Sequence, residues 1–167
     1  MKYNIIFRHD TRITENKLIK EDKLDVYFLF CGKYTDSTEF KAQLERYDIA
    51  DRCFAMGLQE NVAIVYRAMD VFYFPSVTEG QPNALIEAML AGLPVLPSNI
   101  APIKEMFPPE RKAITVAPEN VEQAAEYLSQ IIASDERAGI FRYEEWALKR
   151  FNPATNFGIF QKEMDRC

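Results

Sequence analysis

Residues 71–97, VFYFPSVTEGQPNALIEAMLAGLPVLP, contain the strongest indication of the fold in this chain. Its first four residues are apolar or aromatic, which predicts a short buried strand. A polar loop follows, and then a helix that Pro82 can open and Gly92 can close. Proline suits the first helical position because its missing N–H would have no partner there, and glycine suits the left-handed cap. Pro94 prevents the helix from resuming, so 94–97 is predicted to be a second short buried strand.

Glu87 is the only charged residue between Ala84 and Leu93. A helix that is apolar on nearly all sides is predicted to be buried. A buried carboxylate needs a partner, and Asn83 lies four residues earlier on the same face. The other interpretation is a core helix with one narrow polar stripe at the surface.

The start of this helix is a predicted anion site. Helical side chains lean toward the N-terminus, so Glu87 is predicted to point back past the first turn. Free backbone N–H groups and the positive end of the helix dipole are expected there, and phosphate is their commonest ligand. A carboxylate beside them can accept hydrogen bonds from ribose hydroxyls. The residues with the predicted free N–H groups are Gly80, Gln81, Asn83 and Ala84.

The same stretch resembles a known family. Glu79-Gly80, Glu87-Ala88-Met89 and residues 91–95, AGLPV, are similar to the E-x7-E signature of retaining GT-B glycosyltransferases, glycosyltransferase family four. The chain departs from the family pattern at Gln81, where an aromatic residue is common, and at Leu90, where a small residue is common. The resemblance implies that Glu87 holds the ribose hydroxyls of a nucleotide-sugar donor and that Glu79 contacts the hydroxyls of the sugar.

A second, shorter motif follows the first predicted strand, 3–7. In the resembling family this strand ends in G-R-x-x-x-x-K, and the two cations hold the donor diphosphate. Arg12 and Lys17 have that spacing, although Thr11 replaces the glycine. A guanidinium and an ammonium both suit phosphate oxygens. The alternative is an ordinary solvated basic loop. His9, the only histidine, is given no chemical role, and the role of Arg8 stays open.

The chain between Lys17 and the predicted strand 24–31 is short for a parallel crossover, which normally needs a dozen or more residues. Either the connection is rebuilt here or residues are missing after about Asn16. Farther on, strands are predicted at 51–57 and 113–116, and helices at 37–47, 60–69 and 121–133. In the helix at 60–69, Val62, Val65 and Tyr66 are predicted to face inward. Helices are also predicted at 137–150 and 156–164, where Trp146 and Phe160 either pack on this domain or are contacts left by a partner domain.

Strands that alternate with helices predict an α/β fold with a doubly wound, Rossmann-like parallel sheet. The resemblance implies the C-terminal half of a GT-B architecture, with residues 1–167 as the nucleotide-sugar-binding domain and the N-terminal acceptor domain absent. The expected function is donor binding for a retaining glycosyltransferase of the hexosyltransferase type, in polysaccharide biosynthesis or transfer to a lipid-linked or other acceptor. The isolated domain is expected to be inactive. The expected partners are the donor and the absent N-terminal domain.

The composition and charge limit the partners, cellular location and cofactors that are expected. A net charge of −5 argues against nucleic acid as a partner, and no apolar run reaches the length of a membrane span. Three cysteines without metal-ligand spacing favour reduced thiols and a cytoplasmic protein. Peripheral contact with the inner face of the membrane, through the absent domain, stays open. No cofactor and no metal ion are expected, because no D-x-D motif is present and the cations and helix dipole can meet the charge of the diphosphate.

Two alternatives to a transferase stay open. A nucleotide-sugar epimerase shares the architecture and would convert the nucleotide-sugar alone, without an acceptor. A non-catalytic module would bind a nucleotide-sugar or dock on a partner and catalyse nothing.

Overall fold

The computed structural model of the chain describes residues 3–7, 25–110, 113–134 and 143–152. Several predictions lie outside these residues. They concern Arg8, His9, Arg12 and Lys17, the short connection after Lys17, and the helix at 156–164 with Phe160.

A five-stranded sheet forms the centre of the described chain. Its strands are β1 (Tyr3–Phe7), β2 (Val26–Cys31), β3 (Cys53–Gly57), β4 (Val71–Phe74) and β5 (Val95–Pro97). They pair in the order β3-β2-β1-β4-β5, and every pairing is parallel. The order therefore reverses between β1 and β4. In doubly wound folds, ligands bind beyond the carboxyl ends of the strands at such a reversal.

Helices cover both faces of the sheet. They are α1 (Thr38–Arg46), α2 (Val62–Arg67), α3 (Asn83–Leu90), α4 (Ala101–Lys104), α5 (Val121–Ala133) and α6 (Glu144–Arg150), and a 3-10 helix, Ala50–Arg52, precedes β3. Alternate residues of β4 point to opposite faces. Phe72 and Phe74 join a core with α2, α3 and α6, whereas Val71 and Tyr73 join a core with α1 and α5. The predicted α/β, doubly wound sheet is confirmed.

The predicted strand at 113–116 is wrong in extent. Only one parallel bridge forms, between Ser98 and Val116. The N–H of Val116 donates to the carbonyl oxygen of Pro97, and the N–H of Asn99 donates to Val116. The chain then turns directly into α4 at Ala101, so no further residue lies opposite the segment to extend the ladder.

Trp146 packs on this domain, as one of the two interpretations expected. Its side chain is half-buried against the core that contains α3, and its Nε1–H donates a 2.7 Å hydrogen bond to the carbonyl oxygen of Met106. A buried indole usually finds such a partner for its N–H. Helix α6 packs directly on α3. Trp146 is therefore a structural residue of the described domain.

Candidate functional site

Helix α3 begins at Asn83, one residue later than predicted. Pro82 has φ −77° and ψ 84°, and the N–H of Asn83 donates a 2.9 Å hydrogen bond to the carbonyl oxygen of Gln81. This is an inverse γ-turn centred on Pro82. The prediction of a free N–H is therefore wrong for Asn83. Within the described chain, no hydrogen bond engages the N–H of Gly80, Gln81 or Ala84.

The far end of α3 follows the prediction. Gly92 has φ +71°, the left-handed conformation in which glycine ends a helix. An added Cβ at Gly92 would lie 3.0 Å from Oε2 of Glu144 in α6. A larger residue there would be strained in its backbone and would press on the neighbouring helix.

Glu87 is exposed, so the prediction of a buried carboxylate is wrong. Asn83, Glu87 and Leu90 lie along the outer side of α3 and are all exposed. The inner side is buried against the sheet through Leu85, Ile86, Ala88 and Met89. A helix that covers one face of a sheet has an outer side in contact with solvent, and the geometry matches the interpretation of a narrow surface stripe.

The partner of Glu87 is Tyr66, near the end of α2, and not Asn83. The Tyr66 Oη lies 3.0 Å from Oε2 of Glu87 and 3.1 Å from the carbonyl oxygen of Ala84. The side chain of Tyr66 is buried, with its ring edge-on against Phe72 at a centroid distance of 5.9 Å. The sequence predicted only that Tyr66 faces the core. The sequence signal for this hydrogen bond was a tyrosine at a position predicted to be buried, because a buried tyrosine hydroxyl usually has a polar partner.

Glu79 lies in the loop after β4 and is half-buried. Its Oε1 accepts a 2.8 Å hydrogen bond from the hydroxyl of Ser76, three residues earlier. The carbonyl oxygen of Ser76 in turn accepts a 2.6 Å hydrogen bond from the hydroxyl of Ser98, which is fully buried after β5. The loop is thus attached to the neighbouring strand through Ser98, and Glu79 is attached to the loop through Ser76.

A cavity of about 310 Å³ opens where β2 and β3 end and α3 begins. Its inner wall is apolar, and its polar rim includes Glu87, Asn83 and Gln59. The lining residues are Cys31, Gly32, Leu58, Gln59, Val62, Val65, Tyr66, Met69, Phe72, Asn83, Ala84 and Glu87. Sequence reasoning identified Glu87, Asn83 and Ala84 as site residues. It missed Leu58 and Gln59, because nothing in their side chains marks a binding role.

The segments at the ends of β2 and β3, which form one wall of the cavity, are hydrogen-bonded to each other. The hydroxyl of Thr35 accepts from the N–H of Gly57 at 3.0 Å, and the N–H of Gly32 donates to the carbonyl oxygen of Gly57 at 2.8 Å. Gly57 has φ +66°, and an added Cβ would lie 2.7 Å from Cγ of Asp36. Only glycine fits this position without strain. Val62, predicted to face inward, is instead partly exposed at the cavity rim, because it is the first residue of α2.

Glu79, Gly80 and Gln81 do not line this cavity. Gly80 and Gln81 instead border a second, more open depression of about 320 Å³ between the loop, α4 and the end of α6. The predicted site residues of the described chain therefore form two groups. One consists of Glu87, Asn83 and Ala84 at the cavity, and the other consists of Glu79 and the neighbouring backbone of the loop.

Cys31, in the wall of the cavity, has a displaced pKa. Burial raises the pKa of the Cys31 thiol above its ordinary value, because the thiolate would lose solvation. A hydrogen bond from the backbone of Gln59 opposes this rise in pKa, with a smaller effect. The thiol form is therefore favoured at neutral pH.

The residues described here include no group of three or more His, Cys, Asp or Glu side chains that could hold a metal ion. Across the same residues, none of the helices is both long and apolar enough to cross a membrane.

The parallel sheet order and the cavity at its carboxyl edge are those of a doubly wound α/β domain, in which ligands bind at such an edge. The sequence profile of the family described as glycosyl transferases group 1 matches residues 8–134. This chain belongs to the group 1 glycosyl transferases, as a C-terminal domain of the GT-B architecture. The resemblance noted in the sequence is confirmed at this level.

The curated relatives include proteins with activity names. A 2-deoxystreptamine glucosyltransferase of Streptomyces kanamyceticus is 26% identical over 150 residues, which is 85% of this chain and 38% of that protein. The UDP-Gal:alpha-D-GlcNAc-diphosphoundecaprenol alpha-1,3-galactosyltransferase of Escherichia coli is 31% identical over 88 residues, 53% of this chain and 22% of that protein. The chain thus spans less than half the length of these relatives.

Solved structures share the fold at low sequence identity. The crystal structure of Anabaena HepE in complex with UDP-glucose superposes with a TM-score of 0.82 at 15% identity, over 99% of this chain and 49% of that chain. The C-terminal domain of LpcC, a group 1 family protein of Francisella tularensis, superposes with a TM-score of 0.64 at 17% identity, over 88% of this chain and 84% of that chain.

Proposed function

We propose that this chain is the donor-binding domain of a retaining glycosyltransferase that transfers a hexose from a nucleoside-diphosphate sugar. The observation that carries the proposal is the cavity with Glu87 on its rim, at the carboxyl edge of the sheet. Its volume of about 310 Å³ is at the lower end of the range for small-molecule sites. The Anabaena structures with this fold contain UDP or UDP-glucose, which supports the choice of ligand class.

In this proposal each part of the donor has a matching surface. The base occupies the apolar part of the cavity, bounded by Val62, Val65 and Met69. The ribose lies at the rim, where Glu87 accepts hydrogen bonds from its hydroxyls. The diphosphate lies toward the start of α3, where the N–H groups of Gly80, Gln81 and Ala84 are available as donors.

The remaining roles are carried over from the family resemblance. Arg12 and Lys17 neutralise the leaving diphosphate, so that no metal ion is required, and Glu79 contacts the sugar. Charge that develops on the diphosphate as the sugar departs would be stabilised by these cations and by the backbone donors. The acceptor would bind on a second domain that faces this surface, and the chain alone would then catalyse no transfer.

Calorimetry of the 167-residue chain with UDP, GDP and ADP tests the proposal. We expect weak binding of one of these nucleotides and no sugar transfer to any added acceptor. Glu87→Ala should weaken this binding. Glu45→Ala, which removes an exposed carboxylate on α1, beside the core formed with α1 and α5, is the matched control. Arg12→Ala and Lys17→Ala should weaken binding of the diphosphate and leave the affinity for the bare nucleoside unchanged.

Three results would contradict the proposal. If none of the three nucleoside diphosphates binds, the chain is not a donor-binding domain. Efficient transfer by the purified chain alone would contradict the requirement for a second domain. Conversion of the nucleotide-sugar without an acceptor would favour an epimerase.

A further inference from the structure

We propose that Tyr66 is a positioning residue for donor binding, which acts by orienting the Glu87 carboxylate toward the ribose. This inference rests on the proposed function and goes beyond it, because the family signature contains Glu87 and not Tyr66. The observation is the 3.0 Å contact between Tyr66 Oη and Glu87 Oε2, which joins the end of α2 to the first turns of α3.

The hydroxyl of Tyr66 has a single proton, and its acceptors among the described residues are Glu87 Oε2 and the carbonyl oxygen of Ala84. The carbonyl of Ala84 is in the first turn of α3, where the N–H of Ala88 is its regular helical donor. A carboxylate is also the stronger acceptor, because its charge strengthens the hydrogen bond. Between these two acceptors, we therefore assign the proton of Tyr66 to Glu87.

Tyr66 is itself held in place. Its side chain is 8% exposed, and its ring lies against Phe72 of β4 at an angle of 62°. Glu87, by contrast, is exposed, and an exposed glutamate samples several rotamers when nothing restrains it. One hydrogen bond from a fixed, uncharged donor selects a rotamer without adding a countercharge. The second oxygen, Oε1, is then left to accept from a ribose hydroxyl.

Both Tyr66 and Glu87 line the cavity, so Tyr66 has to be distinguished from a direct contact. A residue that acts through Glu87 contributes nothing once Glu87 is removed, and it contributes nothing to a ligand that has no ribose hydroxyls. A purely structural role has neither property, and a direct contact with the ligand persists when Glu87 is removed. The test is therefore a double-mutant cycle measured with two ligands.

The parent chain, Tyr66→Phe, Glu87→Ala and the double variant are titrated by calorimetry with UDP and with dideoxy-UDP, which lacks both ribose hydroxyls. Where GDP or ADP is the diphosphate that the parent binds, the same pair is used with that base. Tyr127→Phe, which changes a partly buried tyrosine packed against the core on the opposite side of the sheet, is the matched control. Thermal unfolding of every variant is recorded.

We expect Tyr66→Phe to weaken UDP binding about three- to tenfold, the effect of one hydrogen bond. Its effect on dideoxy-UDP, and on UDP in the Glu87→Ala background, should be less than about twofold. Equal losses for both ligands, additivity with Glu87→Ala, or unfolding of Tyr66→Phe would overturn the assignment. If UDP, GDP and ADP all fail to bind the parent, the proposed function itself fails. If the parent binds and Glu87→Ala weakens binding while Tyr66→Phe does not, this inference alone fails.

Discussion

The two glutamates of the site are restrained in different ways. Glu87 is on a helix whose inner side is buried, and its hydrogen-bond partner Tyr66 comes from another helix, 21 residues away in sequence. Glu79 is on a loop, and its partner Ser76 is three residues away on the same loop. Glu87 is nevertheless the more exposed of the two. Exposure therefore says little about how well a carboxylate is positioned, whereas the origin of its partner says much.

This difference suggests that the two glutamates bind different parts of the donor, Glu87 the ribose and Glu79 the sugar. A carboxylate restrained by tertiary contacts suits a part of the ligand that is always the same, such as ribose. A carboxylate restrained only within its loop can adjust, which suits the sugar, where ligands differ. The predictions below are designed to test this division.

The largest effect is expected from removal of either carboxylate. A hydrogen bond to a charged group contributes roughly 1.5–3 kcal/mol, or about tenfold to a hundredfold in affinity. Glu87→Ala should weaken bare nucleotide and nucleotide-sugar by similar factors, because both contain ribose. Glu79→Ala should weaken only the nucleotide-sugar. Calorimetry with UDP and UDP-sugar measures both affinities.

Glu45→Ala is the control for this comparison, and thermal unfolding shows whether each variant is folded. If both alanine variants bind bare nucleotide like the parent and unfold at the same temperature, Glu87 does not hold the ribose. If Glu79→Ala weakens bare nucleotide as strongly as Glu87→Ala does, the two carboxylates do not divide the ligand between them.

A smaller effect is expected from Ser98→Ala. The hydroxyl of Ser98 is fully buried and holds the carbonyl of Ser76, so its loss should loosen the loop that carries Glu79. We expect a cost of about 1 kcal/mol in stability, as for one hydrogen bond, and a loss of severalfold or less in affinity for the nucleotide-sugar. The affinity for bare nucleotide should stay unchanged.

Ser134→Ala removes a hydroxyl at the end of α5, far from the loop in sequence, and is the control for Ser98→Ala. An equal loss of bare-nucleotide and nucleotide-sugar binding in Ser98→Ala would show that Ser98 supports the whole edge of the sheet and not the loop alone.

The smallest expected effect concerns the reactivity of Cys31, which lines the same cavity as Glu87, whereas Glu79 does not line it. Burial raises the pKa of the Cys31 thiol, so its alkylation should become fast only at a higher pH than for an ordinary thiol. Bare nucleotide should slow the alkylation of Cys31 to the same degree as nucleotide-sugar does. Mass spectrometry of the alkylated chain, in a Cys167→Ser background, measures the rates.

Cys53, half-buried in β3 and outside the cavity lining, is the internal control for this measurement. Its alkylation rate should not change when nucleotide is added. If nucleotide protects neither cysteine while binding is observed, the base does not occupy the cavity.

The fold could be predicted from the sequence because its signals are local. The apolar run 71–74, the left-handed Gly92 and the amphipathic pattern of 121–133 each specify an element by themselves, and β4 and α5 have the predicted bounds. The start of α3 was displaced by one residue because Pro82 forms a γ-turn instead of the first helical turn. The alternation of strands and helices was sufficient for the doubly wound sheet.

The site could be predicted only in part, because its geometry depends on contacts between distant segments. The motif identified Glu87, but the helix pattern wrongly predicted burial, since it cannot tell which side of a short apolar helix meets solvent. The hydrogen bond from Tyr66 to Glu87 connects residues that are far apart in sequence. Leu58 and Gln59, which form part of the cavity wall, belong to no motif. Such pairs become visible only when the sheet brings α2, α3 and the end of β3 together.

The hydrogen bond of Trp146 also has an optical consequence. Trp146 is the only tryptophan of the chain, and its indole is fixed to Met106 in the core beneath α6. Intrinsic tryptophan emission therefore reports on a single place, the docking of α6 against α3. Exposure of this indole to water on heating would shift the emission to the red, so the shift would record the separation of α6 from α3. Tryptophan emission would then follow one helix, while circular dichroism follows the secondary structure of the whole chain.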